Sequence, residues 1–501
     1  MANIRDDVAV IRRRMGALSR GELTRREFML LTAGASATAI LAACNAETAS
    51  PVASQAQGSV APGSAVPSTA PPAGTRRIVP LYTTESDPAT LAFYSAAITE
   101  FRTEFPDVDV PITLYKDETR VAFLTTAFET DTDVGIFNPP ASNVAGWAQA
   151  GLLLPLGPLV ESVGADDFLP GVRVRLGGED YGMPVQAGNT LLWYRKDLLS
   201  AAGLEPPTTH EALVGALSEL HGQEGRIGIA QPVGPTATLP INFLTPYLHQ
   251  SGWSYFSKEG EIRFNEPELF EGVQRFVEVM RYTSESFYNA GFGDILTAYL
   301  AGQAAFAVYP GRLGVNLETQ APNIAEVTDV LPIPAGPFMN GQLHFGGTGF
   351  QCIYANTRYP DEALAFLEAL RTGENALAFS LTVPGHLLPP LKSVQDALRQ
   401  SDDPYVAKYR DRINLMCDLV PTAVDPTYGM GSCDDHQFEK IGNICPFSHL
   451  IWTSPPIDGV MLQEILINNR NAEEAWTDAH TKMAAAANQW LSENPDWTPT
   501  A

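Results

Sequence analysis

The residues whose chemistry can be read most directly lie at the amino end. Arg25 and Arg26 stand side by side in Thr24-Arg25-Arg26-Glu27-Phe28-Met29-Leu30, ahead of a mildly apolar stretch that Thr32, Gly34, Ser36 and Thr38 dilute. An arginine pair before a weak apolar core is the pattern of twin-arginine export. Leu41-Ala42-Ala43-Cys44 then places a thiol at a processing site, where its chemistry is lipidation. One acyl chain holds a protein marginally, two or more hold it stably. A second sulfur group is Cys417, Cys433 and Cys445, while Cys352 stands apart. Outside the membrane the cluster can supply one disulfide, formed late if the chain folds before export. Zinc on Cys433, His436 and Cys445 would need ligands without a C-x2-C pair, so no metal is expected.

No G-x-x-x-x-G-K-[ST] phosphate loop, G-x-S-x-G elbow or H-E-x-x-H pair occurs, so neither nucleotide hydrolysis nor these hydrolytic chemistries is expected, and no cofactor is. A carboxylate pair of a hydrolase cannot be recognised from one sequence, which leaves a surface-anchored hydrolase as an alternative. The formal charge is −25, and removing residues 1–43 leaves 25 basic against 53 acidic residues, or −28. Nucleic acid, whose phosphates demand positive surfaces, is excluded as a partner.

These residues must be carried by ordered elements, and the length of 501 residues predicts two domains. Residues 44–75 are Ala, Ser, Pro, Gly and Thr with almost no charge and no aromatic ring, a disordered stalk. From Arg77 onward short β-like runs alternate with helical patterns, the mark of α/β lobes on mainly parallel sheets. Arg77–Tyr82 reads as a strand, Pro88–Phe105 as a helix and Val108–Leu114 as a strand; Val121–Glu129 is helical and Asp133–Phe137 extended. Ligands sit beyond the carboxyl ends of such strands, so the loops after Tyr82 and Phe137 are site candidates.

Further along, Tyr181-Gly182-Met183-Pro184 leads into an apolar run and then Tyr194-Arg195-Lys196-Asp197-Leu198-Leu199, Ala202-Gly203-Leu204 and Pro206-Pro207-Thr208-Thr209. Upstream stands Ala150-Gly151-Leu152-Leu153-Leu154-Pro155-Leu156; downstream come Ala301-Gly302-Gln303-Ala304-Ala305-Phe306, Pro332-Ile333-Pro334-Ala335-Gly336-Pro337 and Gly346-Gly347-Thr348-Gly349-Phe350. In this order the motifs resemble those of the family 1 extracellular solute-binding proteins, the maltose-binding-protein-like group. The resemblance runs from about 77 to 400 and returns at 450 to 490; the segment 411–448 departs from it.

The resemblance implies a periplasmic-binding-protein-like fold: two α/β lobes, a three-segment hinge, and a ligand cleft between them. The expected division is a twin-arginine lipoprotein signal peptide over 1–43, a linker over 44–75, lobe 1 over 76–187 and 332–387, and lobe 2 over 188–331 and 388–501. The hinge would cross near Gln186–Asn189, Thr328–Pro332 and Gly385–Pro389. The implied function is that of a monomeric lipoprotein, outside the cytoplasm and anchored through Cys44. It captures a carbohydrate, polyol or acidic sugar and delivers it to ABC permease subunits. A peptide, polyamine or metal complex in the same fold is the alternative.

Sugar binding needs aromatic faces and planar polar groups on cleft loops. By alignment with the family these are Tyr82, Thr84 and Glu85, then Asn138, Ser142 and Asn143, then Gln186 and Asn189 in the hinge. The second lobe contributes Asn242, Phe243, Tyr309 and Arg312, and later positions are His344, Thr348 and Trp452. Arg312 and Thr348 stand where the family writes tryptophan. A guanidinium there can bond sugar hydroxyls, meet a uronate, or pair with an acidic neighbour.

Overall fold

The structure, a computed structural model, describes residues 76–498 except 118, 174, 235–237, 258–259, 335, 337–343, 426–432, 435–436, 439–445 and 453–454. The export signal with Arg25 and Arg26, Cys44 and the stalk therefore lie outside the described residues, as do His436 and Cys445.

From the amino end, Leu81–Thr83 (β1), Pro88–Glu104 (α1), Ile112–Leu114 (β2), Arg120–Glu129 (α2), Ile136–Phe137 (β3) and Ala141–Gln149 (α3) alternate as the sequence predicts. Prolines shorten the strands. Pro80 separates Arg77–Ile78 from β1 and Pro111 separates Val108–Asp109 from β2, because a proline donates no ladder hydrogen bond. In α1 the residues Thr90, Tyr94, Ala97, Ile98 and Phe101 repeat at helical spacing and form the buried stripe.

Met183–Ala187 (β4) follows, and after Gly188 and Asn189 the chain enters Thr190–Arg195 (β5). Next come Ile227–Ala230 (β6), Ala304–Pro310 (β7), Arg312–Gln320 (α4), Thr328–Leu331 (β8), His344–Phe345 (β9) and Thr348–Ile353 (β10). Arg410–Leu419 (α5), Ala423–Val424 (β11) and Ala472–Glu493 (α6) complete the elements used below.

Two sheets result. One has the order β2-β1-β3-β10-β4, the other β6-β7-β5-β8. They are not mainly parallel. β1 is parallel to β2 and β3, and β6 to β7, but β10 runs antiparallel to β3 and β4, and β5 antiparallel to β7 and β8. The antiparallel strands are those that enter or leave at a crossing. Their direction is set by where the chain passes between sheets and not by a strand-helix-strand connection.

β4 belongs to the first sheet and β5 to the second, so Gly188 and Asn189 form one crossing; β8 to β10 forms another. The segment 385–389 lies beside the first of these, where the Ala187 amide donates to the Leu388 carbonyl at 2.8 Å. A Cβ on Gly311 would collide with the backbone of Gly385, so only glycine lets α4 start this close to that segment. The core of the second sheet is dry: Leu192, Trp193 and Phe306 are fully buried, and Trp193 Nε1 donates to the Tyr309 carbonyl at 3.0 Å.

The carboxyl-terminal third touches both sides. The Leu169 amide donates to Pro390 O at 2.9 Å and the Ser393 amide to Asp167 Oδ1 at 3.0 Å, so the chain just past 388 still bonds to the first unit. Further on, Ser448 Oγ donates to the Ser142 carbonyl at 3.4 Å and Gln149 Nε2 to Asn494 Oδ1 at 3.0 Å. Cys352 and Cys417 are buried free thiols.

Candidate functional site

A cavity of about 1020 Å³ opens between the two sheets. The first sheet supplies its wall from the carboxyl ends of parallel strands: Thr84 to Ser86 after β1, Leu114 to Asp117 and Arg120 after β2, and Pro139 to Ser142 after β3. The second side supplies Ile241, Asn242, Phe292, Tyr309, Pro310 and Arg312. Between them the floor is made of crossing segments, with Gln186, Gly188 to Thr190, Gly347 to Gly349 and His386, joined by Asp425 from just after β11.

Arg312 begins α4 and reaches across the cavity. Its guanidinium donates to Glu85 Oε2 at 2.5 Å and to the carboxylate of Asp87. Both acids sit on the loop after β1; Asp87 occupies the N-cap position of α1 but gives its side chain to Arg312 instead. Burial pulls the Arg312 pKa down, and the two carboxylates more than offset this, so it lies above its ordinary value. Of the roles open to Arg312 in the sequence, pairing with an acidic neighbour is the one the structure displays.

The other charges on the wall are also arranged in pairs. Arg120 meets Asp117 at 2.8 Å, while its Nε is buried without a partner. His386 is held well below its ordinary pKa by burial and by the nearby Arg312 charge, and its Nδ1 has no hydrogen-bond partner. Asn189 donates through Nδ2 to the Met416 carbonyl of α5 at 2.6 Å, leaving its buried Oδ1 unpaired. Thr190 Oγ1 reaches Asn242 Oδ1 at 3.4 Å. Phe292 packs on Tyr309 with ring centroids 6.0 Å apart, and burial pushes the Tyr309 hydroxyl up to about 12, so the phenol stays a neutral donor.

Of the positions singled out in the sequence, Glu85, Ser142, Gln186, Asn189, Asn242, Tyr309, Arg312 and Thr348 line this cavity, as does Thr84. Others do not. Tyr82 packs behind the wall, 5.1 Å from Phe123 and 6.1 Å from Tyr115 between ring centroids. Asn138 turns inward, donating from Nδ2 to the Phe350 carbonyl at 2.9 Å. Asn143 is half-buried on α3 beside Ser142 and lies outside the lining, and Phe243 is buried behind Phe292. Trp452 is in the core: its ring packs on Tyr255 and Phe256, and its Nε1 donates to the buried Asp458 at 3.0 Å. The side chain of His344 lies outside the described residues, and its backbone pairs β9 with β11.

The sequence reading passed over Tyr115, Lys116, Asp117 and Arg120, although the loop after β2 obeys the same rule that pointed to those after β1 and β3. It also passed over Phe292, His386 and Asp425. His386 lies within a segment expected to cross between lobes, which was a usable signal. Asp425 carried none.

Comparison with known proteins agrees with this architecture. Residues 85–376 match the model of the bacterial extracellular solute-binding protein family. The Escherichia coli (strain K12) protein YcjN, named with the ABC transporter periplasmic-binding proteins, is 23% identical over 298 residues, covering 57% of this chain. The match spans 65% of that relative's length, and about half the length of the next curated relatives. The GacH receptor of Streptomyces glaucescens GLA.O, solved unliganded and with acarbose and an acarbose homolog, superposes with a TM-score of 0.67 at 20% identity, covering 83% of this chain and 99% of GacH. An ABC transporter solute-binding protein from Agrobacterium vitis S4 with bound D-mannitol gives 0.66 at 18% identity, covering 85% of this chain and all of the other. At such identities the likeness establishes the fold.

Proposed function

The chain belongs to the bacterial extracellular solute-binding proteins, and from that premise we propose that it captures a carbohydrate or polyol between its two sheets and hands it to an ABC permease. The observation that carries this reading is the cavity itself. It is lined from both sheets and floored by the crossing segments, so a guest touching all three ties their relative position to its own presence. A ligand with greater affinity for the closed arrangement shifts the population toward it, and no bond need be made or broken.

The lining suits a polyhydroxylated guest. Phe292 and Tyr309 offer apolar ring surface, while Gln186, Asn189, Asn242, Ser142 and Thr348 offer donors and acceptors to hydroxyls. At about 1020 Å³ the space exceeds what a single pyranose ring requires and leaves room for a short oligosaccharide. The relatives solved with acarbose and with D-mannitol make both classes reasonable probes. Export through Arg25 and Arg26 and anchoring through Cys44 complete the proposal; no helix among the described residues is long and apolar enough to cross a membrane. Cys44→Ser should release the protein from membranes in a fractionation assay.

The central test is a thermal-shift and calorimetric screen of the purified chain against acarbose, maltose, laminaribiose, D-tagatose, D-mannitol and ribitol. A ligand present at one hundred times its Kd stabilises by about 2.7 kcal/mol and raises the melting temperature. Absence of any shift across this panel, or turnover of one of its members, would overturn the reading.

A further inference from the structure

The family match ends at residue 376, yet two groups on the cavity floor come from beyond it, His386 and Asp425. Asp425 follows β11, whose two residues pair in parallel with β9. Glycines make this placement possible. A Cβ on Gly346 would collide with the Gly188 carbonyl and with Ala423, and a Cβ on Gly347 would stand 2.8 Å from Asp425 Oδ2. The Gly188 amide in turn donates to the Gly347 carbonyl at 2.9 Å. A carboxylate that is 8% exposed is thereby laid against both crossing segments, within the cavity wall.

The charges around this floor select for one kind of guest. Arg312 is engaged by Glu85 and Asp87, and Arg120 by Asp117. Lys116 stands on the exposed rim after β2. His386 is kept neutral. The floor thus presents a carboxylate and the unpaired Asn189 Oδ1, both acceptors. Acceptors call for hydroxyl donors, and a buried carboxylate repels a second one.

Building on the proposed capture of a carbohydrate or polyol, we infer that Asp425 is a specificity-determining residue that accepts hydrogen bonds from hydroxyls of an uncharged guest and turns away uronates, aldonates and sugar phosphates. The ligand class narrows to neutral polyhydroxy compounds. The residue that narrows it lies in the segment where this chain departs from the family.

The test compares Kd values by calorimetry for D-mannitol, maltose and laminaribiose against gluconate and glucuronate, using the wild-type chain, Asp425→Asn and Gly347→Ala. The Asn variant removes the charge; the Ala variant keeps it but displaces the carboxylate. Asp425→Asn should weaken the best neutral ligand about tenfold, the scale of a lost charge-assisted hydrogen bond. It should raise the acid-to-neutral affinity ratio by about tenfold as well, since the repulsion goes with the charge. Gly347→Ala should weaken the neutral ligand in the same direction. Neutral affinities within about twofold of wild type in both variants, or equal weakening of neutral and acidic ligands in Asp425→Asn, would overturn the inference while leaving sugar capture intact. A wild-type chain that binds none of the neutral compounds would remove the functional reading on which it rests.

Discussion

Replacing Arg312 by Met should loosen the junction between the two sheets, and the size of the effect can be worked from its contacts. The guanidinium is the group that joins the loop after β1 to the start of α4, through Glu85 and Asp87. Removing one member of a fully buried ion pair costs about 3–5 kcal/mol, because the partner charge is left behind, whereas a surface pair is worth about 0–1 kcal/mol. Arg312 is 21% exposed and its partners 12% and 24%, between these limits, so about 2 kcal/mol is expected. That corresponds to a population shift of about thirtyfold away from the joined arrangement. Ligand affinity should fall by up to this factor, and small-angle scattering of the ligand-free protein should show expansion. Arg312→Lys should recover only part, since an ammonium cannot serve two carboxylates with a planar fork. Asp87 does not line the cavity, so Asp87→Asn separates the junction from direct ligand contact; a loss of about 1 kcal/mol is expected there. Affinity within about twofold of wild type, with unchanged ligand-free scattering, in both Arg312→Met and Asp87→Asn would refute the reasoning.

Two further substitutions probe the interior. His249 is buried with both ring nitrogens unpaired, and burial holds its pKa down to about 3 from 6.5. Its neutral form is the folded one, so its share of stability is complete above pH 6.5 and is lost as the pH falls toward 3. His249→Leu should raise the melting temperature at pH 7, since an unpaired buried polar group costs about 1–3 kcal/mol. It should also flatten the acid limb, leaving the opposite trend of Asp458. That carboxyl is pushed up to about 6 by burial, against hydrogen bonds from Tyr255, Trp452 and Gly459, so its contribution is fullest below pH 3.8 and is lost as pH rises through 6. Melting curves from pH 4 to 8 check both; an unchanged acid slope in His249→Leu would contradict the assignment. Trp452→Phe removes a donor to Asp458 and should lower stability by about 1–3 kcal/mol without altering ligand Kd. Weakened binding in a variant of normal stability would return Trp452 to the site.

Much of the fold was legible because local pattern and tertiary placement agree. The stripe at Thr90, Tyr94, Ala97 and Phe101 announces α1, and the run Thr190–Arg195, apolar on both faces, announces a central strand. Strand direction was not legible: β4 and β10 take theirs from the crossings, which no local periodicity records. The cavity wall was legible where a residue follows a strand of the first sheet, as with Glu85 and Ser142, or occupies a crossing, as with Gln186 and Asn189. It failed where the same residue type serves packing. Trp452 and a stacking tryptophan look alike in sequence, and only Tyr255, Phe256 and Asp458, distant along the chain, decide between them. Asp425 could not be found for the converse reason, since its position depends on two glycines some eighty residues earlier.

The contacts made by the last third of the chain bear on when the molecule can be completed. Ser448 reaches Ser142 across 306 positions, and Asn494 reaches Gln149 across 345. Neither half can be finished on the ribosome ahead of the other, because the first waits for the last residues to emerge. Loop closure over such spans is slow to nucleate. A polypeptide threaded outward in unfolded form would have to solve this search unaided beyond the membrane. One assembled in the cytosol would cross with it already solved, which is the service a folded-cargo translocase provides.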